Sequence, residues 1–361
     1  MLLADGARAL SAAWGRPVLL GAPQVLRTQS RCDVVRASVR GGDVPTVILK
    51  HFRDDPVLGL DEWTGLELLG RLNLTTAPGL IAGDVATRLF ALEDLGTGPS
   101  LEELLNGNDP RAATSGLLAV ARLTGQMHAR TLSVQADFDL IRHTLSPRPS
   151  RARIDNARYL LDHEERLRRW VTATGAKEHA GTHEDLEVLA RELADPGPFL
   201  SLTHGDMAPG NAIFTPGGPR LLDFEYCGMR HALYDTLMWL LVLPLPEDLI
   251  TRAELTYRIA CSQGCDAAQV DSSWMRGRAA VVAARTVNMF QWIPPKALER
   301  DREWAPGVSE RAALLRHLAR CRAVLEPMNP VPALSRTLAS LESRLVELWP
   351  DTPTFTWPAF R

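Results

Sequence analysis

The stretch LTHGDMAPGNAIF, residues 202–214, carries a histidine, an aspartate and an asparagine in a run that is otherwise largely apolar. A carboxylate that leaves water without gaining a partner loses several kcal/mol of hydration free energy. Asp206 therefore requires either a compensating partner or a chemical role.

A β-hairpin is predicted directly after these polar residues. Two short apolar runs, NAIF and RLLDF, flank TPGGP, which is rich in turn-forming residues. We predict that Phe214 pairs with Arg220. The same antiparallel register sets Asn211 opposite Asp223, with β-carbons roughly 5 Å apart. The two predicted strands are residues 211–214 and 220–224.

Three polar side chains around this hairpin suit the chemistry of a metal-assisted transfer. The amide of Asn211 and the carboxylate of Asp223 offer hard oxygen ligands, which suit Mg²⁺ because it keeps waters and phosphate oxygens in its shell. Asp206 lies in a loop bounded by glycine and proline. Its carboxylate is placed to accept a proton from a hydroxyl.

The order HGDxxxxN, then a hairpin leading to DF and an acid, resembles the catalytic segment of the aminoglycoside phosphotransferase and choline kinase family, whose members are related to the protein kinases. The resemblance implies that Asp206 is the catalytic base, that Asn211 and Asp223 bind Mg²⁺, and that His204 braces the loop. It also implies an α+β, bilobal protein-kinase-like fold with a small antiparallel β-rich N-lobe and a large, mainly helical C-lobe. The matching residues are His204-Gly205-Asp206, Asn211 and Asp223-Phe224-Glu225.

Lysine is scarce in this chain, which draws attention to Lys50. Of 40 basic residues only Lys50, Lys177 and Lys296 are lysines. Lys50 lies near the end of the predicted third strand, TVILKHF, where the family keeps a lysine that contacts the α- and β-phosphates of the nucleotide. The family pairs this lysine with a helix glutamate. Glu62 is the preferred partner here, and Glu67 is the alternative.

Secondary-structure signals divide the chain into a β-rich beginning and a helical remainder. Residues 22–52 predict three antiparallel strands, residues 61–72 a helix and residues 88–96 a strand that runs into a connection. We therefore predict an N-terminal nucleotide-binding lobe, residues 1–95, that ends in a hinge, and a C-terminal helical lobe, residues 96–361, with the catalytic loop and the acceptor site. The predicted helices are 111–131, 151–174, 182–194, 230–243, 247–262, 270–292, 309–325 and 333–348.

The other nucleotide contacts are implied by the resemblance. The chain has neither GxxxxGK[ST] nor GxGxxG, which disfavours a P-loop or Rossmann enzyme. In the family the hairpin between the first two strands covers the phosphates, which points to Ser30, with Arg31 assisting. ALEDLG resembles the interlobe hinge, so the Glu93 carbonyl and the Leu95 amide are expected to contact adenine.

Two further polar residues are expected to support the structure. Asp235 stands near the start of a predicted helix and is expected either to cap it or, by the resemblance, to bind the catalytic-loop backbone. His128 lies in a helical segment, where a packing role is favoured over a catalytic one.

Composition indicates an ordinary water-soluble protein. Hydrophobic residues make up 45% and charged residues 23% of the chain, and the net charge is −3. No basic excess points to nucleic acid, and the longest apolar run, residues 237–246, is too short to span a membrane. The N-terminus lacks the pattern of a secretion signal. The five scattered cysteines predict reduced thiols and a cytoplasmic protein.

The predicted function is transfer of the γ-phosphate of ATP, with GTP as the alternative, to a hydroxyl of a small molecule, with Mg²⁺ as the metal. Candidate acceptors are aminoglycosides or other antibiotics, choline-like amino alcohols, homoserine and sugars. A kinase-like nucleotide-binding protein without transfer activity is the alternative. A metal-dependent hydrolase is disfavoured, because the sequence lacks a histidine-rich ligand set. The sequence predicts no oligomeric state.

Overall fold

We describe a computed structural model of the chain. Five of its strands form one antiparallel sheet, and most of the remainder is helical, as the sequence predicts for an α+β protein. None of the described helices is long and apolar enough to cross a membrane. The described residues are 2–28, 31–53, 56–153 and 161–361.

The chain forms two compact units, each built from segments that are distant in sequence. We call them the sheet unit and the helical unit. The predicted boundary at residue 95 between a nucleotide-binding lobe and an acceptor lobe stays a prediction. The described parts of residues 1–103, 133–153 and 204–229 make the sheet unit, and those of residues 104–132, 154–203 and 230–361 make the helical unit.

The predicted three-stranded meander is present and is extended by two further strands. The strand order in the sheet is β1-β2-β3-β5-β4, and every neighbouring pair is antiparallel. The third strand has the predicted bounds, because β-branched and other apolar residues mark it clearly in the sequence. The strands of this sheet are β1 Leu19–Thr28, β2 Cys32–Arg40, β3 Thr46–Phe52, β4 Leu80–Asp84 and β5 Leu89–Glu93.

An N-terminal helix, α1 (Leu2–Trp14), covers one face of the sheet and was not predicted. Its buried face, which includes Leu10, packs with Val47 and Leu49 of β3 in an apolar core. Because successive strand residues point to opposite faces, Lys50 projects from the face opposite Leu49. The core side of β3 thus fixes the direction in which the lysine points.

A second helix, α2 (Pro56–Arg71), begins five residues before the predicted helix and carries Glu62. A buried ion pair of 2.7 Å between Asp61 on this helix and Arg142 fixes the helix within the sheet unit. The Cys227 thiol also donates to the Asp61 carbonyl, at 3.0 Å. These contacts hold the helix that presents the glutamate.

Most predicted helices of the second half are confirmed to within one or two residues at each end. Of the predicted helix 151–174, residues 151–153 and 161–174 are helical, and residues 154–160 lie outside the described residues. The remaining helices are α3 Leu101–Asn106, α4 Pro110–Arg130, α5 Gln135–Leu145, α6 Leu161–Thr174, α7 Thr182–Ala194, α8 Glu247–Cys261, α9 Asp271–Asn288, α10 Glu310–Leu325 and α11 Pro332–Leu348.

The predicted helix 230–243 is wrong. The segment holds the end of a strand, a 3-10 turn at Ala232–Tyr234 and one turn of π-helix at Met238–Val242. Its residues are nearly all buried, so apolar spacing carried no information about which face points inward. The remaining strands are β6 Leu200–Thr203, β7 Ala212–Thr215, β8 Gly218–Leu221, β9 Gly228–His231, β10 Glu303–Ala305 and β11 Val308–Ser309.

Candidate active site

Lys50 lies at the centre of a buried charged cluster in the sheet unit. Its Nζ is 2.5 Å from Glu62 Oε2 on α2 and 2.5 Å from Asp223 Oδ1. Lys50 is only 4% exposed and Glu62 only 2%. The alternative partner, Glu67, instead pairs with Arg71 and accepts a hydrogen bond from Trp63. The structure thus places Glu62, and not Glu67, against the lysine.

In this cluster, burial disfavours the charged form of each side chain, and pairing with opposite charges favours it. Burial lowers the pKa of Lys50, but the carboxylates of Glu62 and Asp223 outweigh it, and the net shift is upward. Burial acts in the opposite sense on Asp223, yet the ammonium of Lys50 and the guanidinium of Arg27 hold its pKa below the usual value. Lys50 and Asp223 therefore both stay charged at neutral pH.

Asp223 also binds a residue that sequence reasoning overlooked. Arg27, on β1, lies with Nη1 3.1 Å from Asp223 Oδ2, so each carboxylate oxygen faces a cation. The Arg27 side chain is 48% exposed, whereas that of Asp223 is only 17% exposed. The backbone of Asp223 is left-handed, with φ +65°. This conformation turns the chain sharply after β8 and is less costly for aspartate than for most residues.

The predicted hairpin exists, but its register is one residue away from the prediction. Phe214 pairs with Pro219, and Arg220 pairs with Ile213. Asn211 consequently lies beside Leu222, whose amide donates to the Asn211 carbonyl at 2.7 Å. The prediction erred because the loop holds two residues, with Gly218 at φ +110° opening the second strand, instead of the longer TPGGP turn.

Backbone contacts within the sheet unit hold both strands of the hairpin. On one side the amide of Phe214 donates to the Pro99 carbonyl at 2.9 Å, and on the other the amide of Leu221 donates to the Thr76 carbonyl at 2.8 Å. A Cβ at Gly98 would lie 2.0 Å from the Phe214 carbonyl oxygen, so this close approach needs glycine. The hairpin is thereby fixed to the segment that follows β5.

The catalytic-loop residues predicted from HGDxxxxN form one hydrogen-bonded group. His204 is fully buried, and its Nε2 donates to the Leu222 carbonyl at 2.7 Å while its Nδ1 accepts from the Asp206 amide at 3.3 Å. The Asn211 side-chain nitrogen donates to the Asp206 carbonyl at 3.0 Å. These bonds shape the backbone around Asp206, whose side chain is exposed.

These residues fit a magnesium ion. The hydrogen bond to Asp206 uses the nitrogen of the Asn211 amide and leaves the oxygen, which is the atom that ligates cations. Asp223 offers a carboxylate that already attracts two cationic groups. No three His, Cys, Asp and Glu side chains among the described residues form a metal site, and Mg²⁺ needs none, because it relies on one or two carboxylates, phosphates and water.

The connection between β1 and β2 approaches the DFE segment through Arg31. Its guanidinium lies 3.3 Å from Glu225 Oε1 and donates to the Tyr226 hydroxyl at 2.5 Å. Glu225 is mostly buried, and burial raises its pKa, as does the charge of Asp223. Ser30, the predicted phosphate contact, lies outside the described residues.

The predicted hinge residues follow β5 and are held by side chains that the sequence did not reveal. The Glu93 carboxylate accepts from Arg220 at 2.7 Å and from the Gly79 amide at 3.0 Å. Asp94 forms a two-pronged ion pair with Arg36, at 2.8 and 2.9 Å. Leu95 follows outside any strand or helix.

Asp235 lies in the helical unit, in a buried polar group of its own. Its Oδ2 is 3.1 Å from His128 Nε2, and His128 Nδ1 is 2.7 Å from the Tyr257 hydroxyl. All three are at most 2% exposed. The packing role expected for His128 is consistent with this arrangement. No local pattern indicated the pairing, because the three residues come from distant segments.

Comparison with known proteins identifies the family. The profile described as "Phosphotransferase enzyme family" matches residues 36–260, more than half of the chain and all of the site residues between Lys50 and Asp235. The chain belongs to this phosphotransferase family. The predicted resemblance, the protein-kinase-like fold class and the enzyme class are thus confirmed, and the protein is a small-molecule phosphotransferase.

No curated protein sequence matches this chain significantly. Solved structures with a similar fold include kinases for several acceptors. A choline/ethanolamine kinase family protein from Mesorhizobium loti is 16% identical, with a TM-score of 0.48, over 90% of this chain and 93% of that one. An ethanolamine kinase from Plasmodium vivax is 14% identical, with a TM-score of 0.49, over 87% and 84%. A macrolide 2′-phosphotransferase from Brachybacterium faecium is 16% identical, with a TM-score of 0.45, over 88% and 97%.

Proposed function

We propose that this phosphotransferase moves the γ-phosphate of ATP to a hydroxyl of a small molecule, with GTP as the alternative donor. The observation that carries the proposal is the buried cluster in which Lys50 bridges Glu62 and Asp223. Phosphoryl transfer depends mainly on positioned cations and hydrogen-bond donors around the transferring group. A buried lysine next to a metal-ligating carboxylate supplies both.

Asp206 is the proposed general base. Its side chain is exposed, while its backbone is fixed by His204 and Asn211. An accessible carboxylate on a rigid loop can accept the proton of the acceptor hydroxyl as the bond to phosphorus forms. His204 acts by positioning this loop, because its ring links the Asp206 amide to the Leu222 carbonyl.

Asn211 and Asp223 are the proposed magnesium ligands. Bound Mg²⁺ would neutralise charge on the phosphates and orient them. Arg27 contacts Asp223 Oδ2, the carboxylate oxygen that Lys50 does not contact. We propose that Arg27 moves away from this oxygen when metal and nucleotide bind. Since Arg27 is about half exposed, this exchange breaks only a solvent-screened ion pair.

The remaining nucleotide contacts are proposed from the family resemblance. Lys50 would hold the α- and β-phosphates, with Glu62 fixing its position. The Glu93 carbonyl and the Leu95 amide would meet the adenine edge, and Ser30 would contact phosphate. Asp235 is a proposed supporting residue, and its buried bond to His128 is consistent with a structural task.

The proposed acceptors are those of the sequence prediction: aminoglycosides or other antibiotics, amino alcohols, homoserine and sugars. Roles in antibiotic resistance and in primary metabolism are both compatible with this set. We also propose a cytoplasmic location, which the five buried free cysteines support because thiols persist in reducing compartments.

The direct test is to incubate the full chain with γ-labelled ATP, Mg²⁺ and a panel of these acceptors. We expect label in one acceptor class, with Asp206→Asn as the inactive control. The alternative, a nucleotide-binding protein without transfer activity, predicts that ATP and Mg²⁺ raise the melting temperature while no acceptor is labelled and no slow ATP hydrolysis occurs. That result would refute the proposed function.

A further inference from the structure

Three arginines on three helices of the helical unit have no acidic partner among the described residues. They are Arg166 on α6, Arg285 on α9 and Arg316 on α10, and all three are half-buried. Within the part of the chain that the structure describes, none of them lies within ion-pair distance of a carboxylate. Half-buried Arg258 of this unit does pair with a carboxylate, that of Asp271. Half-buried Arg311 has none either, but its guanidinium donates to two backbone carbonyls. We call these three residues the arginine cluster.

Side-chain amides join two members of the cluster. Arg285 Nη1 donates to Asn288 Oδ1 at 3.0 Å, and Gln291 Nε2 donates to the same oxygen at 3.1 Å. Arg166 Nη1 in turn donates to Gln291 Oε1 at 3.3 Å. The two guanidinium groups therefore share one hydrogen-bonded network.

This network brings donors together around His163. Arg166 Nη1 lies 3.1 Å from His163 Nδ1, and Asn288 Nδ2 lies 3.0 Å from His163 Nε2. A neutral imidazole accepts at only one of its two nitrogens. If the Asn288 amide is flipped end for end, its oxygen can accept from His163 Nε2. Its nitrogen, a donor, then faces the donor nitrogens of Arg285 and Gln291. Either arrangement brings two donors together, and a ligand with acceptor oxygens would relieve the conflict.

Arg316 extends the positive potential, and the neighbouring His317 is neutral because of it. Arg316 Nη1 is buried without a hydrogen-bond partner among the described residues, and burial lowers its pKa to about 10. The nearby His317 is buried, and burial together with the charges of Arg316 and Arg285 holds its pKa well below the usual value. The charges of Arg285 and Arg316 therefore both act on the buried His317.

An exposed aromatic surface borders the cluster. The Arg285 guanidinium carbon lies 4.2 Å from the centroid of the Trp292 ring, and Trp304 lies 6.3 Å from the same ring, centroid to centroid. Trp292 is 41% exposed. Stacking on indole fixes the plane of a guanidinium and leaves its edge able to bind an oxyanion.

We propose that the arginine cluster binds a carboxylate or phosphate group of a hydroxyl-bearing acceptor. This inference rests on the proposed function and narrows its substrate class. Arginines without a carboxylate partner gain a charge-assisted, two-pronged one when such a group binds. Acceptors that carry only positive charge, such as choline and aminoglycosides, would be repelled. The preferred acceptor is thus a hydroxy acid or a phosphorylated alcohol.

The first test is calorimetric titration of the full chain with inorganic phosphate and with gluconate, against sodium chloride at matched ionic strength. Arg166→Gln and Arg285→Gln should each weaken binding about tenfold, the loss expected for one charged hydrogen bond. Arg169→Gln is the matched control, because Arg169 lies on α6 but is exposed and paired with Glu165. Lys50→Ala should leave this binding intact and so separates it from the nucleotide site.

The second test compares gluconate, sorbitol and N-methylglucamine, three related polyols whose ends are negative, neutral and positive. Wild-type protein should bind them in that order, and Arg285→Gln should reduce the differences. Should the glutamine variants fail to fold, Arg285→Lys keeps the charge without the planar fork and should bind gluconate with intermediate affinity.

Binding of neither anion, equal affinity for three polyols that all bind, or loss of phosphate binding in Lys50→Ala would overturn the proposal. Anion binding that persists in a chain unable to transfer phosphate from ATP would instead support this site and refute the proposed function. Phosphate bound without gluconate would assign the cluster to phosphorylated acceptors, and gluconate bound without phosphate to hydroxy acids.

Discussion

The two charged clusters of this protein differ in how their positive charges are balanced. In the sheet unit Lys50 and Arg27 face Glu62 and Asp223, so two cations meet two carboxylates. The arginine cluster of the helical unit contains three cations and, among the described residues, no carboxylate. The first set of charges is balanced by side chains of the same unit, and the second is not.

The difference indicates how each cluster would respond to ligands. A balanced cluster keeps its geometry before ligands arrive, and it can exchange one cation for another of greater charge. An unbalanced cluster lowers its free energy only when an anion binds. The first property suits a metal-nucleotide site and the second suits recognition of an acidic molecule.

The largest expected effect comes from removing the proposed general base, Asp206. Asp206→Asn should lower turnover by roughly 10²- to 10⁴-fold, because a positioned proton acceptor is lost. Nucleotide binding should persist, since Asp206 belongs to neither charged cluster. Steady-state rates and the ATP-induced shift in melting temperature check both points. Turnover equal to that of wild type would remove Asp206 from the mechanism.

The central cation of the balanced cluster comes next. Lys50→Ala should lower turnover on the order of 10²-fold, as expected when a preorganised electrostatic contact is removed. Lys177→Ala is the matched control, because Lys177 is an exposed residue of the helical unit. Comparing kcat/KM for ATP in the two variants is the measurement. Equal values would show that Lys50 does not contact the nucleotide.

The two glutamates of α2 offer a finer comparison. Glu62→Gln should lower kcat/KM about tenfold, because one charged hydrogen bond to Lys50 is weakened while that of Asp223 remains. Glu67→Gln should leave the rate unchanged, since the hydrogen-bond partners of the Glu67 carboxylate among the described residues are Trp63 and Arg71. A larger loss in Glu67→Gln would reverse their assignment.

A smaller effect tests the cation exchange at Asp223. Arg27→Ala should lower the Mg²⁺ concentration needed for half-maximal activity a few-fold, because a screened ion pair contributes at most about 1 kcal/mol. Arg40→Ala, an exposed substitution at the end of β2, is the control. A raised Mg²⁺ requirement in Arg27→Ala would show that Arg27 helps to hold the metal-nucleotide and does not compete with it.

The smallest effect concerns the unbalanced cluster and pH. His317 protonates near pH 6.5 in the unfolded chain but only well below that in the folded chain. Its neutral form therefore stabilises the fold fully above pH 6.5, and this contribution falls by about 1 kcal/mol for each pH unit below it. Urea unfolding at pH 7.5 and 5.5 should show a smaller pH-dependent loss in His317→Leu than in wild type. Identical losses would contradict the assigned environment.

Those parts of the fold whose patterns are local could be predicted from the sequence. Strand β3 and helix α7 have the predicted bounds, because a β-branched apolar run marks the first and helical spacing marks the second. The segment 230–243 was predicted wrongly, since burial on all sides erases periodicity. The first helix, α1, was overlooked although its apolar spacing was available.

For the site, residue types at short spacing predicted which residues come together, but they did not predict the register of the hairpin. HGDxxxxN and DFE identified the loop and the acid that the structure brings next to Lys50. The hairpin register failed by one residue, because it depends on whether two or five residues make the turn. Arg27 and the arginine cluster escaped notice because their neighbours are set by tertiary folding.

The left-handed backbone at Asp223 has a consequence for attempts to make this enzyme more heat-resistant. Glycine adopts that conformation without the steric penalty of roughly 1 to 2 kcal/mol that a side chain brings. The substitution Asp223→Gly would nevertheless lower thermal stability, because it takes one of two carboxylate partners from the buried ammonium of Lys50, and that loss outweighs the backbone gain. Heat resistance and turnover therefore both favour aspartate at this position, and stabilising substitutions have to be sought elsewhere in the chain.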